Sequence, residues 1–435
     1  MFNLEEVKKM FAKFDYVRLS LCDLNGLHRG QTVSSRHAAQ YLEEGLDLFQ
    51  DVLLVSPTSD IVTVKHPKDY NYGSIRIIPD LNTLRPVPWA ENGVKVAEML
   101  CESRWKTDNA PQEACPRYVA RQQLQRLGEL GLKLYSGFEI EFTLLEKRSL
   151  KSVNEFNELY RQSEFAKHSN YFFEFDRNCF ESKIDIERFH CELGPGQFEI
   201  VMKPKYGIEC PDMTLNLKEG LIETANQKDL VVSFMTDSQT TNTSHFNFSL
   251  WSETGENMFY DASSPDNLSA TAKQWIAGIL KHGKALTAFA NPTINCFRRI
   301  GVEMCSSAIS WGIEDRDGCL RIKNEGPFKT YMEYRPPSGK INPYLVMASI
   351  IAAGLDGVIN KMECPPPGIT GSSETLPNSL SEALEELEED AGLVSALGQE
   401  LVTWFVKCKR DGEIAKFEGL QNDGEAFAME RQLYF

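Results

Sequence analysis

The chain has 435 residues, 42% of them hydrophobic, which is enough for a sizeable core and for more than one domain. Its formal net charge of −16 excludes the basic surface expected of a nucleic-acid-binding protein. No run approaches the roughly 20 apolar residues of a membrane-spanning helix, and the first residues lack a signal-peptide pattern. We therefore expect a soluble, cytoplasmic protein with no nucleic-acid or membrane partner.

The first quarter of the chain predicts a small α+β domain over residues 1–105. Turn and cap residues separate short periodic segments, as expected for alternating helices and strands. The predicted elements are a helix over 4–14, a strand over 16–21, a hairpin turn at Asn25-Gly26, a helix from Ser34 or Ser35 to Gly45, and strands over 60–64 and 74–78.

The remainder predicts a larger domain over residues 106–435. Pro116 is well placed in the first turn of a helix that ends at Gly131. Further helices are expected over 212–228, 265–289 and 343–362, followed by a proline-rich loop over 365–377. Two C-terminal helices are expected after that loop, with Ser379 as the cap of the first.

Several predicted strands carry acidic or metal-seeking side chains on one face. In the first, Phe138, Ile140 and Phe142 alternate with Glu139 and Glu141, so the two carboxylates share a side. The same alternation recurs in three later segments: residues 245–251 with His245, residues 332–335 with Glu333, and a Gly-Pro-Gly bend between Glu192 and Glu199.

Taken alone, each segment is also typical of an ordinary half-exposed strand, and a lone histidine is commonly a core residue. If the strands adjoin, five glutamates converge, and each like-charged pair costs about 4 kcal/mol at ~4 Å and an effective dielectric near 20. Bound cations or protonation must offset this repulsion. Glutamate oxygens with a single imidazole and no thiolate favour Mg2+ or Mn2+ over Zn2+ or copper.

Six segments occur in a characteristic order: Gly137-Phe138-Glu139-Ile140-Glu141, Glu192 to Glu199, His245 to Trp251, Asn291 to Asn295, Arg316 to Arg321, and Glu333 to Leu345. These motifs and their order resemble the glutamine synthetase family over nearly the whole chain. The N-terminal segments Asp23-Leu24-Asn25-Gly26 and Pro79 to Trp89 look more like the branch that contains γ-glutamyl-amine ligases and lengsin.

The resemblance implies a fold, an assembly and a set of site residues. The fold is α+β, with an N-terminal β-grasp domain and a larger catalytic domain of antiparallel sheet and flanking helices. The assembly is a homo-oligomer, expected as stacked rings. The implied metal ligands are Glu141, Glu192 and Glu199 for a first ion and Glu139, His245 and Glu333 for a second.

The resemblance also implies residues that contact the substrates. Asn247 and Ser249 fall at nucleotide contacts. The arginines have separate roles: Arg299 for a glutamate substrate, Arg316 and Arg321 for nucleotide phosphates and the active site, and Arg335 for the transferring phosphoryl group. Glu303 falls at the flap, although an ungapped alignment puts Met304 there.

The chain departs from the family pattern in several places, including the usual Met-Pro-Lys stretch, which is Met235-Thr236-Asp237 here. The loop that contacts glutamate is replaced by Thr240-Thr241-Asn242-Thr243-Ser244. The family's aspartate that assists ammonia deprotonation has no clear counterpart in this chain. Gln50 and Asp51 are the residues near its position.

The resemblance implies an ATP- and Mg2+- or Mn2+-dependent carboxylate–amine ligase that activates glutamate or a close analogue as an acyl phosphate. Cations and arginine clamps suit the phosphoryl transfer that such activation needs. The alternative is a lengsin-like structural or scaffolding oligomer with little or no ligase activity. A phosphagen-type kinase is a third possibility, disfavoured by the N-terminal match. Alanine at Glu141 or Glu333 is expected to weaken metal-dependent nucleotide binding and to relieve repulsion in the metal-free protein.

Overall fold

A computed structural model describes most of the chain. The described residues are 4–66, 68, 73–90, 93–156, 159–302, 304–305, 307–368 and 374–434. In this described part, none of the helices combines the length and the apolar character that a bilayer crossing needs.

The N-terminal part forms a six-stranded sheet in the order β2-β1-β6-β4-β3, with β5 paired to β6. The pairing of β1 with β6 is parallel, and the other pairings are antiparallel. Its elements are α1 Leu4–Phe11, β1 Tyr16–Cys22, β2 His28–Ser34, α2 Ser35–Ala38, α3 Tyr41–Glu44, β3 Leu46–Phe49, β4 Ser74–Pro79, β5 Arg85–Pro86 and β6 Val96–Trp105.

The larger part is built on a nine-stranded sheet in the order β13-β14-β15-β12-β7-β9-β8, with β10 and β11 also paired to β7. All its pairings are antiparallel except that of β13 with β14. The strands are β7 Leu132–Glu146, β8 Ile186–Cys191, β9 Gln197–Met202, β10 Lys205–Tyr206, β11 Leu230–Ser233, β12 Ser244–Ser252, β13 Trp311–Ile313, β14 Leu320–Asn324 and β15 Thr330–Tyr334.

Helices cover this sheet and close the chain. Helix α9 is largely buried, and its N-cap Asn342 accepts hydrogen bonds from the amides of Tyr344 and Leu345, while Pro343 occupies the first turn. The helices are α4 Pro116–Gly128, α5 Gln162–Glu181, α6 Glu209–Asn226, α7 Ala270–Lys281, α8 Gly283–Ala290, α9 Pro343–Ile359, α10 Leu380–Glu389, α11 Ala391–Leu397, α12 Gln399–Gly412 and α13 Asp423–Tyr434.

Some predicted elements are wrong in extent or kind. The helix expected up to Gly45 is two short helices, and the residues 60–64 form no strand although they alternate in polarity. The helix expected over 265–289 begins only at Ala270 and is interrupted at His282. Four helices, rather than two, follow Ser379, whose side chain caps α10 by accepting from the amide of Glu382.

His282 interrupts α7 and α8 because it binds two carboxylates on neighbouring helices. Its Nδ1 lies 2.5 Å from Asp390 Oδ2 and its Nε2 lies 2.9 Å from Asp356 Oδ2. Burial lowers the pKa of His282, but the two carboxylates outweigh burial and raise it above its usual 6.5. The imidazolium therefore fastens the α7–α8 junction to α9 and to the start of α11.

Replacing His282 with glutamine is expected to destabilise the protein most at low pH. A raised histidine pKa stabilises the fold fully below the unfolded value near 6.5, and this contribution is lost as pH rises through the folded value. We expect a loss of about 2–4 kcal/mol in the free energy of unfolding at pH 5.5 and a smaller loss at pH 9. Chemical denaturation at both pH values, with the exposed His37→Gln as control, measures this; equal losses would contradict the ion pairing.

Candidate metal and nucleotide site

The acidic residues singled out in the sequence lie on one face of the larger sheet. On β7, Glu139 is directly opposite His245 of β12, and Glu141 is directly opposite Glu199 of β9. Residues paired in this way point to the same side of a sheet. The other face of β7 is core, since Phe138, Ile140 and Phe142 are fully buried there.

The same face continues onto β15 and β14. Glu333 lies opposite Asn247 on one side and opposite Arg321 on the other. The predicted residues of four distant segments are thus adjacent through strand register, which the alternation within each strand could not specify.

Glu139, His245 and Glu333, which we name the β12 cluster, place their metal-seeking atoms within 4.8 Å of one another. His245 Nδ1 lies 3.5 Å from Glu139 Oε2 and 3.5 Å from Glu333 Oε1. Burial and the charge of Arg335 lower the pKa of His245, but the three glutamates around it raise the pKa overall. These donors suit a Mg2+ or Mn2+ ion.

Two arginines also reach Glu333. Arg321 Nη1 donates to Glu333 Oε2 at 3.1 Å, and Arg335 Nη1 donates to Glu333 Oε1. Arg321 also donates to Glu314, and its buried Nε has no hydrogen-bond partner within the described part of the chain. The β12 cluster is therefore nearly charge-balanced by guanidinium groups in the absence of any ion.

A second group, His190, Glu192 and Glu199, which we name the β9 cluster, also has its ligand atoms within 4.8 Å of one another. Its two glutamates were predicted and His190 was not. His190 is paired with Glu199 in the β8–β9 register. The spacing of His190 and Glu192, two residues apart near a strand end, is the signal that could have indicated it.

Glu141 adjoins the β9 cluster without being part of it. Its Oε2 accepts from Gln197 Nε2 at 3.1 Å and from the amide of Thr243 at 2.9 Å. Burial is the main cause of its raised pKa, and the charge of Glu199 adds to that rise. Three carboxylates thus meet around one imidazole, so this end of the site has the larger excess of negative charge.

The pKa of Glu192 shows the effect of this excess negative charge most clearly. Burial first, then the charges of Glu141 and Glu199, raise the pKa of its carboxyl to about 7. A carboxyl with a raised pKa destabilises the fold as pH rises through that value, because ionisation is harder in the folded state. A cation bound between these groups would remove the penalty.

Replacing Glu192 with glutamine is expected to stabilise the metal-free protein at pH 8 and to weaken its response to metal. Removal of a repelled charge should raise the free energy of unfolding by about 1–3 kcal/mol. Denaturation in a chelator and in Mn2+ measures both effects. A lower stability of Glu192→Gln in the chelator would contradict the repulsion.

Of the residues predicted to contact the nucleotide, Asn247 contacts the β12 cluster and Ser249 does not. Asn247 hydrogen-bonds Glu139, whereas the hydroxyl of Ser249 accepts from the indole of Trp251 at 2.9 Å and is buried. Arg316 is exposed, and its charge reaches Tyr160. The ring of Tyr160 packs against His190 of the β9 cluster, with centroids 4.8 Å apart.

A further arginine, which the sequence analysis missed, also faces the site. Arg188 Nη2 lies 3.8 Å from Glu139 Oε1, and the side chain is about half exposed. Its exposure and position beside the carboxylates make it a candidate contact for a phosphate group.

Arg299 and Arg335 line a small internal pocket together with Met304. Arg299 Nη1 donates to Pro336 O at 2.6 Å and to Asn291 Oδ1 at 3.3 Å, so this arginine is held by the protein itself. Met304 has a left-handed backbone, with φ of 65°, and its carbonyl accepts from Arg335 at 3.4 Å. Glu303, the predicted flap residue, lies outside the described residues.

A cavity of about 1300 Å³ opens beside the β9 cluster. Leu193 and Pro195, which flank the bend after Glu192, contribute to its wall, as do Thr240 and the start of α13. Arg298 lines it, rather than its predicted neighbour Arg299. The cavity is larger than a typical pocket for one small ligand, which has roughly 300–1,000 Å³.

The loop that replaces the family's glutamate-contacting segment is held firmly. Asn242 is fully buried, and its amide nitrogen donates to Thr143 Oγ1, Ser233 O and Met235 O. Its amide oxygen accepts from Gln197. Asn242 therefore braces Gln197 and, through it, Glu141. Gln50 and Asp51 are buried in the N-terminal part.

One further histidine–carboxylate group, His66 with Glu113 and Glu400, does not need an ion. His66 Nδ1 accepts from the amide of Lys68 at 3.0 Å, so its Nε2 carries the proton and donates to Glu400 at 2.8 Å. The indole of Trp105 donates to Glu113 at 3.1 Å. No lone pair of the imidazole remains for a metal.

Comparison with known proteins identifies the family. Residues 113–428 match the catalytic domain of glutamine synthetase. The chain belongs to the glutamine synthetase family. The resemblance drawn from the motifs is thereby confirmed, and the family's ligases use ATP and divalent metal ions.

Two differently named groups of relatives, lengsins and glutamine synthetases, have comparable sequence identity to this chain. Lengsin from Rattus norvegicus is 28% identical over 431 residues, which cover 94% of this chain and 74% of that protein. Glutamine synthetase from Thermotoga maritima is 30% identical over 436 residues, which cover 93% of this chain and 94% of that protein. These identities do not favour either name.

Solved structures support the α+β fold. A structure described as a novel glutamine synthase homolog superposes with a TM-score of 0.84 and covers 97% of this chain and 99% of its own. A structure described as a GmaS/ADP complex superposes with a TM-score of 0.86 and covers 98% of this chain and 99% of its own. Both are 24% identical, so they bear on the fold alone.

Proposed function

We propose that this protein is an ATP- and divalent-metal-dependent ligase that joins a carboxylate to an amine. The observation that carries the proposal is the pair of adjoining clusters on one sheet face, with two arginines that donate to Glu333 of the β12 cluster. Such a combination of oxygen ligands and guanidinium groups suits phosphoryl transfer. The relative described with bound ADP is consistent with a nucleotide at this fold's site.

The donor set fits the metal ions that the family uses. We propose that Glu192 and Glu199, with Glu141 alongside, hold one ion, and that Glu139, His245 and Glu333 hold the other. When bound, such ions neutralise charge on the phosphate oxygens. The predominance of carboxylates favours Mg2+ or Mn2+.

The reaction that follows from this site has two steps. The substrate carboxylate oxygen attacks the γ-phosphorus of ATP and the bond to ADP breaks, which gives an acyl phosphate. The uncharged amine nitrogen then attacks the acyl carbon, the carbon–oxygen bond breaks and phosphate leaves, while the nitrogen loses one proton to phosphate or water. The roles proposed for this chain are positional: Arg335, Arg321 and Arg316 orient phosphate oxygens, and Asn247 and Ser249 lie along the nucleotide.

We place the acid and the amine in the 1300 Å³ cavity beside the β9 cluster. Its volume is sufficient for an amino acid together with an amine larger than ammonia. The buried Asn242 and the inward-turned Arg299 support an acid contact different from the one implied by resemblance. A glutamate-like acid remains the substrate class that we propose, and we propose a homo-oligomer, arranged as stacked rings.

The test is phosphate release by the purified protein. ATP, Mn2+ or Mg2+, and glutamate or related dicarboxylic amino acids are combined with ammonia or a panel of primary amines. We expect release that requires metal, acid and amine together. Absence of release with every pairing would contradict the proposal.

The second candidate is a scaffold that keeps the fold without turnover, as proposed for a lengsin-like chain. The observation that favours it is the buried Asn242, whose donated hydrogen bonds hold the loop Thr240 to Ser244 where the resemblance implies a glutamate contact. A scaffold would gain stability from bound nucleotide, by about 2.7 kcal/mol at a hundredfold excess over Kd, and would release no phosphate. Robust turnover would eliminate this candidate.

A further inference from the structure

The β9 cluster contains an imidazole in addition to the carboxylates that the family pattern led us to expect. His190 lies between Glu192 and Glu199, with Nδ1 3.4 Å from Glu192 Oε1 and Nε2 3.1 Å from Glu199 Oε1. It belongs to β8, and its pairing with Glu199 fixes its side chain on the site's face. The packing of Tyr160 against its ring limits its orientation further.

The hydrogen bond of Nδ1 determines which ring nitrogen can bind a metal. Nδ1 lies 3.2 Å from the backbone oxygen of Cys191, which can only accept, so Nδ1 carries a proton. A neutral ring then has its lone pair on Nε2, which faces Glu199. A backbone carbonyl that holds the second nitrogen is the usual partner of metal-binding histidines.

Without a cation, a lone pair on Nε2 would face a carboxylate oxygen at 3.1 Å. That contact is favourable only if Nε2 is protonated or if a cation lies between the two groups. Glu141, meanwhile, already uses one oxygen to accept from Gln197 and Thr243. The β9 cluster therefore offers a nitrogen ligand at the place where resemblance implies a third carboxylate.

We propose that His190 binds the metal ion of the β9 cluster through Nε2, together with Glu192 and Glu199, while Glu141 acts from beside this set. The inference rests on the proposed function only for the presence of a divalent ion. Its chemical consequence is metal preference. Imidazole binds Mn2+ in preference to Mg2+, which favours oxygen ligands, so this site should discriminate between the two ions.

The experiment is a titration of the metal-free protein with Mn2+, in which the electron paramagnetic resonance signal reports the free Mn2+. A competition titration with Mg2+ then measures the preference between the two ions. His190→Ala should lower the Mn2+ affinity of one of two sites by about tenfold or more. Replacing a residue that only hydrogen-bonds to a metal ligand already lowers metal affinity by that much. His190→Glu should retain Mn2+ binding but lower the preference for Mn2+ over Mg2+. His37→Ala, on an exposed histidine, is the matched control.

His190→Gln guards against a folding defect, because its amide can donate to the same carboxylate or carbonyl oxygens but lacks the imidazole lone pair. It should fold as the wild type does and still lose affinity at one site. Mn2+ affinities and the Mn2+/Mg2+ preference unchanged in all three His190 variants would overturn the inference. The titrations contain no ATP or amine, so they test this inference separately from the proposed function. If the wild-type protein is an active ligase and the His190 variants bind metal as it does, only this inference fails. If the His190 variants lose metal affinity and the wild-type protein shows no turnover, only the proposed function fails.

Discussion

Replacing Glu333 with alanine is expected to lower nucleotide affinity in the presence of Mn2+ by about 100-fold or more, the upper end of the range for residues that support a metal ligand. Glu333 contacts His245 within the β12 cluster and accepts from Arg321 and Arg335. Its loss removes a proposed metal ligand and releases both arginines. Calorimetric titration with an ATP analogue, with and without Mn2+, measures the effect.

The same substitution should also destabilise the metal-free protein, by about 2–4 kcal/mol, since it leaves buried guanidinium charge without its partner. This sign is opposite to the one expected for Glu192→Gln. Like-charge repulsion alone, as argued from the sequence, would have both substitutions stabilise the apo protein. Glu333→Gln, which keeps the size of the side chain, separates the metal effect from the packing effect. Unchanged nucleotide affinity in both Glu333 variants would contradict the assignment of Glu333 to the metal site.

Replacing Arg335 with lysine is expected to lower kcat by about 10²–10³, the scale of losing one donor that stabilises developing charge. Lysine keeps the positive charge but loses the planar fork that can hold two oxygens at once. Arg335 is buried beside Glu333 and contacts the carbonyl of Met304, so its side chain is held by both residues. Nucleotide affinity should change less than tenfold, because the missing contact strengthens only during transfer.

The matched control for this prediction is Arg410→Lys, at an exposed ion pair with Glu388 on the C-terminal helices. It should leave kcat and KM unchanged. Phosphate-release kinetics over a range of ATP concentrations separate the two constants for both variants. Arg335→Lys with normal kcat and a raised KM would show that Arg335 serves binding rather than the transfer step.

Local periodicity predicted the strands of the site but not their contacts. The alternation of Phe138, Ile140 and Phe142 with two glutamates correctly predicted which side chains share each face of β7, because the period of a strand is fixed. Neighbouring strands and their register depend on pairings between residues far apart in sequence. His190 was missed for that reason, since only its pairing with Glu199 brings it to the site.

Side-chain direction was equally hard to predict. Arg298 and Arg299 are adjacent in sequence, yet Arg298 lines the large cavity and Arg299 donates to Pro336. His282 likewise lies at an interruption of a predicted helix, where Asp356 of α9 and Asp390, the N-cap of α11, bind its ring. The sequence of each segment contains no information about these partners. A resemblance supplies them only where the chain keeps the family's pattern.

The measurement that tests the proposed reaction most directly is transfer of an oxygen isotope. The acid substrate is labelled with ¹⁸O in its carboxylate and incubated with ATP, Mn2+ and an amine, and the released phosphate is analysed by mass spectrometry. Activation through an acyl phosphate predicts one ¹⁸O atom in each phosphate formed, with none when metal is removed. Phosphate released without the label would contradict the account, because the carboxylate would not have attacked ATP.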